Sequence, residues 1–256
     1  MGTASATIRE RSARDDLDTR LFLLNGFRME VAGEPLDLPP GAQRVVAFLA
    51  LRPHALTRGY VAGTLWMDAP EARASANLRS ALWRLRSHAV PIVESAGGRL
   101  SLHRSVRVDL RAAVELADRW LTGRMTDSDL AAGTATLEAD VLPDWYEDWV
   151  AAERERFRQL RLHALEAVAE RMVQRGRSGD ALLAALAAVL ADPLRESAHR
   201  ALISVHLAEG NVGEALRQVR RYERLLADEL GVAPSIHLAR LIGPLLGRAG
   251  EPLPPG

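Results

Sequence analysis

The apolar positions of this chain change their period twice. The run LFLL from Leu21 gives way to alternation at Phe27, Met29 and Val31, the two-residue period of a half-buried strand. AGEP reads as a turn, after which Leu36 and Leu38 resume the alternation until Pro39, Pro40 and Gly41 end it. The period then becomes helical. Val45, Val46, Phe48 and Leu49 cluster in AQRVVAFLALRPHA, which Pro53 stops. TRGYVAGTLW predicts a second, short helix with Thr57 as its N-cap. ASANLRSALWRLRSHAV, from Ala74 to Val90, predicts a third, ended by Pro91. IVESAGGRLSLHRSVRVDL returns to strand. It reads as a hairpin, with a Gly97-Gly98 turn and alternation at Leu100 and Leu102.

Strands, three helices and a terminal hairpin follow the order of a winged helix. Beyond residue 112 the pattern is helical. DWYEDWVAAERERFRQLRLHALEAVAERMVQ predicts one long amphipathic helix. GRSGDAL then begins at Gly176 and GNVGEAL at Gly210, with Gly, Gly, acid, Ala and Leu in register. The offset of 34 residues is the tetratricopeptide period, one helix–turn–helix per unit. The expected fold is therefore mainly α with a small β component: an N-terminal winged helix, then an all-α tetratricopeptide-like domain. The expected boundaries are a disordered leader over 1–20, a winged helix over 21–112, a helical domain over 113–246 and a flexible tail over 247–256.

Composition removes several chemistries. There is no cysteine among the 256 residues, so disulfides, thiolate metal sites and cysteine nucleophiles are excluded. The 33 basic residues are all arginine, so neither a Walker A lysine nor a Schiff-base amine is available. No HExxH, GxSxG or GxGxxG spacing occurs. His199 and His206, seven apart, read as a packing or capping pair rather than as ligands. The expectation is a non-enzyme with no cofactor and no metal site. No apolar run reaches membrane-spanning length, and the leader lacks the apolar core of a signal peptide. This points to a cytoplasmic protein without a membrane partner.

The formal net charge is zero, but it is segregated. From Ala72 to Arg111 there are eight arginines against Glu94 and Asp109, a net +6. From Glu138 to Glu155 there are seven acids against Arg154, a net −6. The basic stretch includes the third helix. On a wheel at about 100° per residue, Ala74, Leu78, Leu82, Leu85 and Ala89 form the core stripe. Arg73, Ser80, Trp83, Arg84 and Ser87 face away from it, with Asn77 and Arg79 on the flanks. Arg can take guanine with a two-pronged hydrogen bond, Asn can do the same for adenine, and Arg and Ser can hold phosphates. Arg99 follows the hairpin turn, where a wing would meet a minor groove. These eight residues are the candidate DNA contacts. Trp83 points outward on this wheel, whereas a phase shift of one residue would bury it. Trp145, Tyr146 and Trp149 read as a packed aromatic cluster.

The order of parts resembles the Streptomyces antibiotic regulatory protein class of transcriptional activators. The carrying stretches are LFLLNGFRMEVAGEPLDLPPGAQRVVAFLAL, ASANLRSALWRLR, GGRLSLHRSVRVDL and ADPLRESAHRALISVHLAEGNVGEALRQVRRYERLLADELGVAPS. The resemblance implies an OmpR-like winged helix joined to a bacterial transcriptional activation domain. It also implies double-stranded DNA and RNA polymerase as partners, with self-association on DNA a further option. The chain departs from the usual pattern at Trp83, at Gly98 and at Ala42 before Gln43. The competing reading is a tetratricopeptide-type scaffold whose winged helix does not bind DNA.

Overall fold

The structure is a computed structural model that describes residues 18–126, 128, 129 and 135–248. Residues 1–17 of the expected leader and 249–256 of the expected tail lie outside the described residues. The ends that are described differ from expectation. Thr19 and Arg20 belong to the first strand, and residues 247 and 248 to the last helix.

The chain forms two compact units. The first comprises residues up to 112 together with 140–155, and the second 113–139 with 156–256. The expected single cut at 112 thus becomes a crossing back and forth, because residues 140–155 pack with the first unit.

In the first unit, β1 (Thr19–Phe22) pairs antiparallel with β2 (Arg28–Val31), which pairs with β3 (Glu34–Pro35). Only Glu34 and Pro35 join the sheet here; Leu36–Leu38, expected as strand, lie outside it. Gly33 at φ +86° makes the turn between β2 and β3. α1 (Pro40–Ala50) begins one residue after Pro39, and Pro40 occupies its first position, where a missing N–H leaves no extra orphan. Val45, Val46, Ala47, Phe48 and Leu49 are all buried, so this helix is enclosed rather than amphipathic. Thr57 caps α2 (Arg58–Leu65) as expected, its Oγ1 accepting from the Tyr60 N–H at 3.4 Å. α3 spans Glu71–Arg86. β5 (Val93–Ala96) and β6 (Arg99–Leu102) form the hairpin, extended by the two-residue β4 (Leu56–Thr57) against β6. β7 (Val106–Val108) returns to the first sheet, parallel to β1. Neither β4 nor β7 was legible as a separate strand. Asp109 then accepts from the N–H groups of Leu23 and Leu24 at 2.8 and 3.1 Å, tying the end of β1 to the chain leaving β7. Burial holds this carboxyl above its usual range, against the three N–H donors that oppose the shift.

The acidic segment completes this unit. Leu24 bridges to Val141, and Arg154 donates to the carbonyls of Val141 and Trp145 at 3.0 and 2.9 Å. Glu147 and Glu153 pair with Arg44 and Arg52, neutralising part of its charge. Trp149 is buried edge-on against Phe48, and Trp145 stacks on Phe27. Tyr146 does not join the expected cluster; it is 92% exposed.

α4 (Asp109–Leu121) enters the second unit after residue 112 and buries Trp120 there, where Arg171 donates to the carbonyl of Leu121 at 3.0 Å. α5 (Ala135–Glu138) is a single turn. α6 (Asp148–Gln174), which belongs to the second unit from residue 156 on, begins four residues later than the sequence pattern predicts. α7 (Ser178–Ala191), α8 (Glu196–Ala208) and α9 (Val212–Leu230) pack as successive neighbours, and α10 (Ile236–Arg248) packs back against α8. The repeat is physical: α7 and α9 start 34 residues apart, after Gly176 at φ +70° and Gly210 at φ +75°. The matched Ala181 and Ala215 are both fully buried. Ile203, Val219, Tyr222, Leu226 and Leu238 form a core cluster. His199 is buried beside them and stacks on Tyr222. Its Nε2 donates to the Pro193 carbonyl at 2.8 Å and its Nδ1 accepts from Gln218 at 2.7 Å. This is a neutral tautomer with both nitrogens satisfied, and burial lowers its pKa. The packing role expected of His199 thus has a geometry; His206 is half-buried on the same helix.

Candidate nucleic-acid interface

α3 is held by one stripe: Ala74, Leu78, Ala81, Leu82 and Leu85 are buried. The expected fifth member, Ala89, is exposed and lies beyond the helix end. The helix stops at Arg86, where the Ser87 hydroxyl donates to the Arg84 carbonyl at 2.6 Å. Val90 and Ile92 continue the core in its place.

The position of the stripe decides where the remaining side chains point. Trp83 is 71% exposed, so the wheel had the right phase and the buried alternative is removed. Arg73, Arg79, Ser80 and Arg84 are exposed, and Asn77 on the flank is half-buried. Ser87 is exposed just past the last turn. Arg86 was not expected in the set, yet it is exposed on the same flank as Arg79. Its wheel angle, like that of Arg79, was the signal. Glu71 in the first turn and Arg84 and Arg86 in the last suit the helix dipole.

Charge on this face is uncompensated. Among the described residues, no carboxylate pairs with Arg73, Arg79, Arg84 or Arg86, whereas Arg20, Arg28, Arg44, Arg52 and Arg107 of the same unit are all in ion pairs. Four free guanidiniums beside an exposed indole can take phosphate oxygens, guanine edges and an apolar sugar or methyl surface.

The hairpin differs in detail from expectation. Gly97 at φ +56° and Gly98 at φ +76° form the two-residue turn, and positive φ at both positions matches the right-handed strand twist. β5 packs against α3. Arg99 is exposed, but one of its guanidinium nitrogens donates to the Ala55 carbonyl at 3.0 Å. It therefore braces β6 against the chain entering β4, with its remaining N–H groups available. The Arg58 guanidinium donates to the Ser95 hydroxyl at 3.0 Å, near the turn of the hairpin.

No group of three or more His, Asp or Glu side chains is placed to hold a metal ion among the described residues, and no helix there is long and apolar enough to cross a membrane.

Comparison with known proteins bears on the whole chain. The family model described as the bacterial transcriptional activator domain matches residues 106–246. The regulatory protein AfsR of Streptomyces coelicolor is 30% identical over 233 residues, which are 87% of this chain and 24% of that protein. AfsR of Streptomyces griseus is 30% identical over 247 residues, 91% of this chain and 25% of that protein. The chain thus spans about a quarter of the length of these relatives. The solved structure of Mycobacterium tuberculosis EmbR, in complex with a low-affinity phosphopeptide, superposes with a TM-score of 0.68 at 21% identity. It covers 93% of this chain and 67% of that one, and it shares the fold. With the family model matching more than half of its length, the chain belongs to the bacterial transcriptional activator domain family, among transcriptional regulators of the Streptomyces antibiotic regulatory protein type.

Proposed function

We propose that this regulator binds double-stranded DNA through α3 and the β5–β6 hairpin, and activates transcription by recruiting RNA polymerase through its helical unit. The observation that carries the DNA-binding half is the row of unpaired arginines on the outer face of α3, in a unit whose other arginines are largely paired. Such a face is costly to maintain by self-repulsion and gains most from a polyanion. In this reading Arg73, Arg79, Ser80, Arg84 and Ser87 meet phosphates or base edges. Asn77 reads a base from the flank, Trp83 lies on sugar or thymine methyl, and Arg99 meets the backbone beside the wing. The recruitment half rests on family membership and on an open groove between α6, α8 and α10, where Leu160, Ala201 and Leu241 lie beside Glu170, Arg200 and Arg240.

The test is a fluorescence titration of the full chain against duplex DNA from upstream regions, at two salt concentrations. Binding is expected, with log K falling linearly with log salt. The triple variant Arg73→Ala, Arg79→Ala, Arg84→Ala should lose specific binding and flatten that slope. Absence of binding at low salt, or a triple variant that binds like the parent, would overturn the reading in favour of a protein-interaction scaffold.

A further inference from the structure

A cavity of about 420 Å³ opens between the C-terminal end of α3 and the β5–β6 hairpin. Local rules build its wall. Leu82, Leu85, Arg86 and Ala89 follow at the spacing that brings residues to one side of a helix. The helix itself stops at Arg86, so residues 88–92 run on towards β5 and line the cavity as well. On β5 the two-residue period sets Val93 and Ser95 in the wall and leaves Glu94 out of it. The His103 N–H donates to the Ile92 carbonyl at 2.8 Å, which brings His103 alongside.

The chemistry of the wall is one-sided. Leu82, Leu85, Val90 and Ile92 are buried and supply an apolar floor. The polar side chains are Arg86, His88, Ser95 and His103, and no carboxylate is among the lining residues. Arg86 is exposed and has no acidic partner among the described residues. His103 Nδ1 accepts from the Ser105 N–H at 3.3 Å, so the hydrogen of the neutral ring sits on Nε2. The volume falls at the lower end of small-molecule sites, roughly 300–1000 Å³. A guanidinium takes a carboxylate with two parallel hydrogen bonds, and an anion leaves water only where such a partner waits. A DNA phosphate would satisfy Arg86 but leave the apolar floor empty. An organic acid uses both.

We infer that this cavity is an effector site for a small carboxylic acid with an apolar body, whose carboxylate pairs with Arg86. At about 100° per residue, Arg86 stands on the flank of α3 with Arg79, between the cavity and the outer face. A bound acid therefore cancels one positive charge on the helix that the DNA-binding proposal uses, and duplex affinity falls. That sign rests on the DNA-binding proposal, whereas the site itself does not. Linkage requires the reverse effect too: bound DNA weakens the acid by the same factor.

The site is tested without DNA, by isothermal titration calorimetry of the full chain. The probe is 1-naphthoate, with 1-naphthamide as its uncharged counterpart. Naphthoate should bind one-to-one with a dissociation constant below about 1 mM, and the amide at least about tenfold more weakly. Arg86→Gln should cost naphthoate about tenfold and leave the amide unchanged. Ala89 is exposed in the wall, so Ala89→Trp should fill the mouth and abolish naphthoate binding, with circular dichroism unchanged. The inference is overturned by no saturable naphthoate binding below about 1 mM, by an amide that binds as tightly, or by both variants binding like the parent. In a second titration with duplex DNA, saturating naphthoate should lower affinity about fivefold in the parent and not in Arg86→Gln. Unchanged duplex affinity in the parent would overturn the effector role. A chain that binds no duplex at all would instead overturn the DNA-binding proposal, and the calorimetry would still decide the site.

Discussion

Arg84 and Arg111 carry the same charge in different company. Arg84 is exposed and unpaired on the outer face of α3, while the Arg111 guanidinium donates to the Ala50 carbonyl at 3.2 Å. Arg84→Ala is expected to weaken duplex binding by about 1–3 kcal/mol if it reads a base, or to lower the salt slope by about one if it holds a phosphate. Arg111→Ala should leave binding within error and act on stability instead. Equal small losses in a titration of both variants would mean that diffuse charge alone binds DNA. Trp83 separates binding from folding in the same way. At 71% exposure it contributes little to the core, so Trp83→Ala should change the unfolding free energy by no more than about 0.5 kcal/mol. It should weaken DNA binding in the same preparation; a large drop in stability would place the indole in the core after all. Most of the exposed face of the candidate site was legible because it sits on one helix, where a period of 3.6 residues orders exposure. Asn77 on the flank and Arg99 bonded to Ala55 were less legible, since partial burial and a contact 44 residues away are not local properties.

Among the elements, the β5–β6 hairpin depends on its turn. Gly97 and Gly98 both have positive φ, which a side chain tolerates poorly, and neither has a neighbour within reach of an added Cβ. Gly98→Ala should therefore act through backbone strain alone, destabilising the first unit by about 1–2 kcal/mol in chemical denaturation. A neutral result would mean that the turn relaxes to another type. The hairpin was readable from this dipeptide, and α2 from the Thr57 cap. The start of α1 was read two residues late, because two prolines and a glycine look like a loop until Pro40 is seen at a helix's first position. β4 and β7 escaped because strands of two and three residues carry too little alternation to register a period.

For the molecule as a whole, the acidic segment changes what can be cut. A fragment ending at residue 112 lacks Trp145 and Trp149, which cover Phe27 and Phe48, and lacks the carboxylates that pair with Arg44 and Arg52. It should unfold at a lower temperature than the first unit does within the full chain, as followed by scanning calorimetry; an unchanged transition would mean that this segment adds nothing. The second unit carries a pH dependence through His199. Burial lowers its pKa in the folded state below the ordinary 6.5, so the unfolded chain takes the proton first. Stability should be complete above about pH 6.5 and fall as pH drops below it, by at most about 1.4 kcal/mol per pH unit. His199→Gln should flatten this part of a stability–pH profile. Asp129 acts lower on the scale. The Arg119 guanidinium, 2.7 Å away, and then the Thr126 N–H pull its pKa down to about 2, so its contribution is lost only as pH falls from about 4 towards 2.

Periodicity alone determined the order of the longer strands and helices, the outward face of α3 and the 34-residue repeat, because each is a property of local sequence. Only the tertiary structure decided that β7 lies parallel to β1, with Leu21 opposite Val108, and that Asp109 reaches back to Leu23. It also returned the acidic segment to the first unit, against α1 and the residues that follow β1. Charge segregation marked that segment as distinct, but ion pairs and aromatic burial chose its partner across some hundred residues of chain. No local period records a choice of that kind.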